Sequence, residues 1–254
     1  MTKGVSIIIS CYNEENNLKR GVLKEVSQYL KKFNQPHEVI ISNDKSTDNS
    51  LALLKEYARK NPSFSIFDLR QKGGKPGGLW NGIQKAKYPW CLTTDIDQST
   101  PLTELDKLMP YLNEYDVVIG SRGTHRQGNS LIRKIGANVF LRLRRLLLLP
   151  NIIDTQCGFK AIKTEVAKKV FPHLNAIKII AGSGWRVTAY DVEMLFLAQK
   201  WGYRIKEVPI NWKNEDTSTT KGNFSARYRK ESIQMAKEIY RVKSNDLMGL
   251  YDQH

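Results

Sequence analysis

The 254-residue chain carries only three cysteines, Cys11, Cys91 and Cys157. An odd, scattered set builds no disulfide framework, and no pair has the C-x-x-C spacing of a metal knuckle. Cys11 and Cys91 stand in or beside apolar runs, where a thiol reads as a small buried hydrophobe, so a reducing compartment is expected. Long hydrophobic runs are missing too. No stretch reaches about 18 apolar residues, so no membrane-crossing helix is expected. The apolar run of the opening MTKGVSIIIS is too short for a secretory leader. Acidic residues are in the minority: 25 Asp and Glu against 40 Lys and Arg give a formal net charge of +15. That excess implies an anionic partner: nucleic acid, an acidic membrane surface or a phosphorylated substrate. No zinc-finger, RRM or KH pattern accompanies it, so no nucleic-acid partner is expected. Internal repeats and low-complexity segments are absent from the sequence.

What is present is an ordinary globular composition, 41% hydrophobic and 26% charged. At roughly 150 residues per domain, the length fits one large or two small domains. Val5–Ile9 is a β-branched apolar run of the kind buried on both faces in parallel sheets. Leu18, Val22, Val26, Tyr29 and Phe33 then recur at helical spacing. Further strands are expected at Glu38–Ser42, Phe64–Phe67, Trp90–Thr94, Val117–Gly120 and Arg204–Trp212. Helices are expected at Ser46–Arg59, from the glycine-rich 73–78 stretch through Ala86, at Leu102–Leu112, at Asp191–Gly202 and at Ser225–Val242 with Ser225 as N-cap. Strands alternating with helices predict βαβ units in a mainly parallel sheet. Ligands of such sheets bind beyond the carboxyl ends of the strands. Three polar clusters, Tyr12-Asn13-Glu14, Asn43-Asp44 and Asp95–Asp97, each follow a predicted strand and would converge on that edge.

Asp95 and Asp97, at i and i+2 just past a strand, can turn toward one site where the backbone leaves the sheet. Hard carboxylate oxygens suit Mg²⁺ or Mn²⁺, an ion usually completed by substrate phosphates. The bland alternative is a solvated turn. Asp44 reads either as a ligand for a base or ribose or as a cap for the following helix, a task Ser46 or Asp48 could also fill. Gly73-Gly74-Lys75-Pro76-Gly77-Gly78 reads as close backbone approach to a ligand or as a flexible turn. It matches neither the Walker A nor the G-x-G-x-x-G pattern.

In combination these motifs are far more specific. A strand followed by Tyr12-Asn13-Glu14, a strand followed by Asn43-Asp44-x-Ser46-Thr47-Asp48, then GGK, then TTDIDxxxP, resembles the inverting family 2 glycosyltransferases. The resemblance continues in Ile119-Gly120-Ser121-Arg122, in DTQCGFK at 154–160, in Asp191-Val192-Glu193 and in EVPINW at 207–212. It spans Val5 to about Lys221. The later motifs look like dolichyl-phosphate glucosyltransferases and related polyprenyl-phosphate sugar synthases, with the dolichyl-phosphate mannosyltransferases next.

The resemblance implies an α/β chain of the A-type glycosyltransferase fold, with a mainly parallel Rossmann-like sheet, helices on both faces and amphipathic interfacial helices. It implies a catalytic domain over 1–222, with a nucleotide-binding half at 1–122 and an acceptor half at 123–222, and a C-terminal helix and tail at 223–254. Donor contacts fall by resemblance on Ser10, Tyr12, Glu14, Asp44, Lys75 and Asp95, and the metal, Mg²⁺ or Mn²⁺, on Asp97. Arg122, Arg133 and Lys221 match basic positions near the acceptor phosphate, and Asp95, Asp97, Arg122 and Asp191 carry the catalytic expectation. Several positions depart from the family pattern. Ser10-Cys11 replaces Pro-Ala, and Asn43-Asp44-Lys45 replaces Asp-Asp-Gly. Pro76 replaces the second glycine of GKG, and Ser99 stands where mannosyl enzymes often carry Gln.

A lipid phosphate is already anionic near pH 7 and needs no general base, so catalysis would be positioning plus charge stabilisation. For a hydroxyl acceptor, Asp191 or Glu193 could be the base, although both also suit a helix N-terminus electrostatically. Between Leu131 and Leu149, Arg133, Lys134, Arg142, Arg144 and Arg145 alternate with Ile132, Ile135, Val139, Phe140, Leu143 and Leu146–Leu149. This reads as an interfacial segment on anionic lipid or as a core helix with snorkelling charges. The basic C-terminal helix, with Arg227, Arg229, Lys230, Lys237, Arg241 and Lys243, would extend that surface or be solvated. The expected partners are a nucleotide-sugar donor, a polyprenyl-phosphate acceptor and an anionic membrane surface. The expected location is the cytoplasmic face of a membrane.

Overall fold

The computed structural model describes residues 4–123, 142, 144–178, 190–213, 215, 217 and 224–252. Seven strands form one sheet in the order β3-β2-β1-β4-β6-β5-β7. They are β1 (Val5–Cys11), β2 (His37–Asn43), β3 (Phe64–Asp68), β4 (Trp90–Asp95), β5 (Val117–Ser121), β6 (Lys160–Lys163) and β7 (Ile205–Pro209). β1, β2, β3 and β4 run parallel, as do β5 and β7, while β6 lies antiparallel between β4 and β5. The expected parallel α/β sheet is present. The sequence reading did not anticipate β6. Its four residues, KAIK, lack the length of a strand signal, and they are held by pairing on both sides.

The β-branched run of β1 is buried because the sheet is covered twice. Ile7 and Ile9 face one apolar cluster with Val22, Val26, Leu54 and Leu105, and Ile8 faces the other with Leu79, Ile83 and Leu195. Burying such a side chain is worth about 1.5–3 kcal/mol, so the central strands are the anchor of the fold.

The first helical stretch breaks into α1 (Glu15–Arg20) and α2 (Val22–Leu30), because Gly21 takes φ +97°, the left-handed region that glycine enters without strain. α3 (Ser50–Lys60) and α4 (Gly74–Lys85) follow. The glycine-rich stretch is therefore largely the first turn of α4. Pro76 sits in that turn, where its missing N–H has no intrahelical partner to lose. A Cβ at Gly78 would lie 2.8 Å from the Ser10 Cβ, and one at Gly82 would lie 2.5 Å from the Ile8 Cγ2. These glycines let α4 press directly on β1.

The segment 102–113 is a short α5 (Leu105–Leu108) between 3-10 turns. Then come α6 (Thr164–Val170), α7 (Asn175–Lys178), α8 (Tyr190–Lys200) and α9 (Phe224–Leu247). α9 begins at Phe224, so Ser225 lies inside the helix rather than capping it. Gly202, at φ +81°, follows α8 as expected. No helix among the described residues is long and apolar enough to cross a membrane.

Candidate active site

The three polar clusters do converge. Ser10 pairs with Ser42 on one side and Asp95 on the other, and Cys11 pairs with Asn43, so β1, β2 and β4 end level with one another. Asn13, Lys45 and Gln98 each have φ between +52° and +58°. These are the non-glycine residues with positive φ among the described residues, and each lies just past one of those three strand ends. A left-handed non-glycine residue costs roughly 1–2 kcal/mol, and such strain is held where surrounding bonds over-determine the backbone. Here they do. Asn13 N–H donates to Ser46 Oγ (3.0 Å), Thr47 N–H donates to Asn13 Oδ1 (2.8 Å), and the Glu14 and Glu15 amides donate to Ser50 Oγ (2.8 Å) and Asp48 Oδ2 (3.1 Å). Ser46 and Asp48 thus staple the β2–α3 loop to the β1–α1 loop. Sequence reading missed this, because none of the three strained positions is a glycine.

Asp44 is buried and does not cap α3. Its Oδ1 accepts the Gly73 N–H at 2.6 Å, at the N-terminus of α4. Burial holds its pKa above the ordinary carboxylate value, against the opposing pull of the Gly73 and Gly74 amides. Lys72 lies over the Tyr12 ring, 3.5 Å from its centroid, beside the same edge. Glu14 accepts from Asn17 Nδ2 at 2.6 Å.

Lys75, in the first turn of α4, meets Asp95, the last residue of β4, with Nζ 2.5 Å from Oδ1. Gly158 makes room for this, since a Cβ there would overlap the Asp95 carboxylate. Asp97 accepts the Ser99 N–H at 2.9 Å, and its backbone carbonyl accepts from Arg20 at 2.6 Å. Burial and then the neighbouring Asp95 push the Asp97 pKa up. Two carboxylates of which one is only partly compensated electrostatically are a fitting donor set for a hard divalent cation. No cluster of three or more His, Cys, Asp or Glu exists among the described residues to cage an ion.

Arg122 leaves β5 and is bound to Asp154: Nε to Oδ2 at 2.8 Å, Nη2 to Oδ1 at 2.9 Å and its backbone N–H to Oδ2 at 3.0 Å. Its positive charge also acts on Asp95, which brings it to the same cleft. Asp191, at the start of α8, is bound by the buried Lys160 at 2.5 Å. Lys160 also donates to the Cys157 carbonyl. The Asp191 charge acts on Lys75, so Asp191 borders the site as well.

Glu193 does not border it. Two residues along a helix is a rotation of about 200°, which turns its side chain to the other face. There it accepts from Arg241 at 2.9 and 3.0 Å, from Tyr251 at 2.6 Å and from the Asn175 N–H at 3.0 Å. Arg241 is thus a structural clasp rather than a free surface charge. Arg144 is also buried rather than lipid-facing, whereas Arg142, Arg145, Leu146 and Leu147 are exposed. Arg133, Lys221 and residues 131–141 lie outside the described residues.

Residues 6–171 match the family described as Glycosyl transferase family 2, and the chain belongs to that family. It is a glycosyltransferase with the expected A-type fold. Among its relatives, it is 32% identical to dolichyl-phosphate beta-glucosyltransferase of Dictyostelium discoideum over 268 residues, covering 97% of this chain and 76% of that one. It is 28% identical to the protein of the same name from Saccharomyces cerevisiae, with 97% and 76% covered. Among solved structures, mannosyl-3-phosphoglycerate synthase from Rubrobacter xylanophilus superposes with a TM-score of 0.68 at 12% identity, covering 98% of this chain and 76% of that one. Glucosyl-3-phosphoglycerate synthase from Mycobacterium tuberculosis, solved with Mn²⁺, UDP and glucosyl-3-phosphoglycerate, superposes with 0.65 at 15% identity, covering 95% and 80%.

Proposed function

We propose that this chain transfers glucose from UDP-glucose to a dolichyl or related polyprenyl phosphate, with inversion at the anomeric carbon. The single observation that carries the reading is the convergence at one sheet edge of Asp44, Lys75, Asp95 and Asp97, with Arg122 after β5 and Asp191 at the start of α8 bordering the cleft. The relatives named for this glucosyl transfer support the choice of sugar and acceptor.

In this reading Ser10, Tyr12, Glu14 and Asp44 bind the nucleoside end of the donor. Asp95 and Asp97 would hold Mg²⁺ or Mn²⁺, which offsets charge on a diphosphate when bound. Lys75 stands beside them and can exchange its Asp95 partner for a diphosphate oxygen. Residues 1–122 serve the donor, Arg122 at their boundary excepted, and 123–222 the acceptor. Arg122, together with Arg133 and Lys221, meets the acceptor phosphate. An oxygen of that phosphate attacks the anomeric carbon from the side opposite the nucleotide. The bond from that carbon to the diphosphate oxygen breaks, and its electron pair leaves with UDP. The attacking oxygen already bears negative charge, so no proton has to be removed. Asp191 is occupied by Lys160, which accords with an acceptor that needs no base. Exposed Leu146, 81% accessible, beside Arg142 and Arg145 supports peripheral docking on the anionic cytoplasmic face of a membrane.

The test supplies UDP-glucose or GDP-mannose, with Mn²⁺ or Mg²⁺, and either a short polyprenyl phosphate or a saccharide hydroxyl acceptor. A glucosyl lipid from UDP-glucose is expected. Product from the hydroxyl acceptor alone would overturn the lipid reading.

A further inference from the structure

Arg144 lies in the basic, leucine-rich stretch that the sequence offers to a membrane, yet its side chain is 2% exposed. A buried guanidinium is costly unless most of its donors are met, and on Arg144 both terminal nitrogens are bonded while Nε has no partner among the described residues. Here Nη1 donates to Thr155 Oγ1 at 2.6 Å, and Nη2 donates to the Ile152 and Ile153 carbonyls at 2.8 and 2.7 Å. From the other side Glu207 of β7 accepts the Ile153 and Asp154 amides at 2.8 and 2.7 Å. Residues 152–155 are thus gripped through their carbonyls by a cation and through their amides by an anion. The residue in the middle of that grip is Asp154, 6% exposed, which forks onto Arg122.

A guanidinium has five N–H donors in a rigid plane. Asp154 takes two from the Arg122 side chain, which leaves three on its far edge. The Asp154 fork therefore fixes which edge of Arg122 faces the cleft. We infer that Arg144 is a positioning residue for the transfer reaction: through the 152–155 loop and Asp154, it aims the free edge of Arg122 at the acceptor phosphate. The inference rests on the proposed lipid-phosphate acceptor. Lysine does not replace it, because a single ammonium lacks the span to hold a hydroxyl and two carbonyls at once.

The experiment measures kcat and KM for UDP-glucose and for a short polyprenyl phosphate, and the Kd for UDP. The variants are Arg144→Met, Arg144→Lys, Thr155→Val, Arg122→Ala and the double variant Arg122→Ala with Arg144→Met. Arg144→Met and Arg144→Lys should each raise the acceptor KM by about tenfold or more, with donor KM and UDP affinity within about twofold of the parent. The double variant should be no worse than Arg122→Ala alone, because residues acting through one group are non-additive. Losses that multiply, or that fall equally on donor and acceptor, overturn the inference. If Arg144→Met does not fold, Thr155→Val keeps the test alive: an unchanged acceptor KM in both Thr155→Val and Arg144→Lys overturns it. An Arg122→Ala variant with raised acceptor KM beside an unaffected Arg144→Met sinks the inference alone. An Arg122→Ala variant that leaves the phosphate acceptor's KM unchanged, with saccharide hydroxyls glucosylated, sinks the assigned acceptor and the inference together.

Discussion

Lys75 Nζ and Asp95 Oδ1 face each other at 2.5 Å where the N-terminus of α4 meets the end of β4. Desolvation in the cleft would lower the Lys75 pKa, but Asp95 overrides it and holds it above the ordinary lysine value. Reciprocally, burial would raise the Asp95 pKa, and Lys75 holds it below the ordinary value. Both side chains are about two-fifths exposed, so solvent screens the pair, and its worth is about 0.2–1 kcal/mol. A cation arriving at Asp95 has to share it with Lys75. Lys75→Ala should therefore raise the Mn²⁺ affinity of the nucleotide-free protein by about two- to fivefold, read by Mn²⁺ electron paramagnetic resonance. The same variant should weaken UDP-glucose binding about tenfold or more, because a phosphate partner is gone. Equal or weaker Mn²⁺ binding would show that the pair does not compete with the ion.

Burial and then Asp95 work against the ionised form of Asp97, and the Ser99 hydrogen bonds and the Lys75 charge offset them only in part. Function and stability should part company at this residue. Asp97→Asn keeps the acceptor for the Ser99 amide but removes the like-charge repulsion. Its melting temperature is expected to equal or exceed that of the parent, while the glucosyl transfer rate falls about 100-fold or more. Full activity in the presence and absence of a chelator would dismiss the carboxylate pair as the metal site.

Asp191 and Glu193 look interchangeable in the motif DVE, and helix geometry separates them. Glu193 is 1% exposed and clasps α9 through Arg241 and Tyr251. Glu193→Ala should cost about 3 kcal/mol in urea unfolding, the scale for stripping one partner from a largely buried ion pair. Its transfer rate per folded molecule should stay near the parent's. Asp191→Asn strands the buried Lys160 ammonium and should cost stability on the same scale of about 3 kcal/mol, but unlike Glu193→Ala it should also slow transfer per folded molecule, by about tenfold without abolishing it, because a phosphate acceptor needs no base. Complete loss of transfer in Asp191→Asn would favour a hydroxyl acceptor.

The parallel sheet and the edge that gathers the polar clusters were legible in the sequence, because apolar β-branched runs ending in Asn13-Glu14, Asn43-Asp44 and Asp95–Asp97 carry their own boundaries. β6 was not, since KAIK is shorter than any periodic signal and owes its place to β4 and β5. The glycine-rich stretch was read as leading into a helix, but why glycine stands at 78 and 82 was not legible, because those positions answer to Ser10 and Ile8 across space, not to their chain neighbours. The sequence left Arg144 open between a lipid-facing and a core position, and Arg241 open between a lipid-facing and a solvated one, for the same reason: their partners, Thr155 and Glu193, are 11 and 48 residues away.

Acid sensitivity should concentrate where β5, β6 and β7 begin or end together. Asp116 accepts from Lys163 Nζ and from the Arg204 N–H, each at 2.8 Å. Partial burial raises its pKa, and these two donors outweigh that and hold it below the ordinary 3.8. A lowered folded-state pKa stabilises the fold above the unfolded value, and that stability is lost as pH falls through the folded one. Asp116→Asn should thus cost about 1–2 kcal/mol at neutral pH and flatten the acid limb of the stability curve below about pH 4, measured by denaturant titration. An unaltered acid limb would assign the acid loss to other carboxylates.

The exposed tip after Arg144 separates membrane docking from chemistry. Leu146 and Leu147 are 81% and 39% exposed while Leu148 and Leu149 are buried in the core, so one run of four leucines serves two environments. Burying an exposed leucine among acyl chains is worth about 1.5–3 kcal/mol, and each neighbouring arginine about 1 kcal/mol on an anionic surface. Leu146→Asp with Leu147→Asp should release the protein from phosphatidylserine-containing vesicles by tenfold or more in flotation, on the order of what one lost leucine anchor predicts. Arg142→Glu with Arg145→Glu should weaken retention on anionic vesicles and leave neutral phosphatidylcholine vesicles unaffected. Both variants should retain transfer to a short, soluble polyprenyl phosphate, because the proposed chemistry uses none of these four side chains. Parent-like flotation of the leucine variant would remove this tip from the membrane-facing surface.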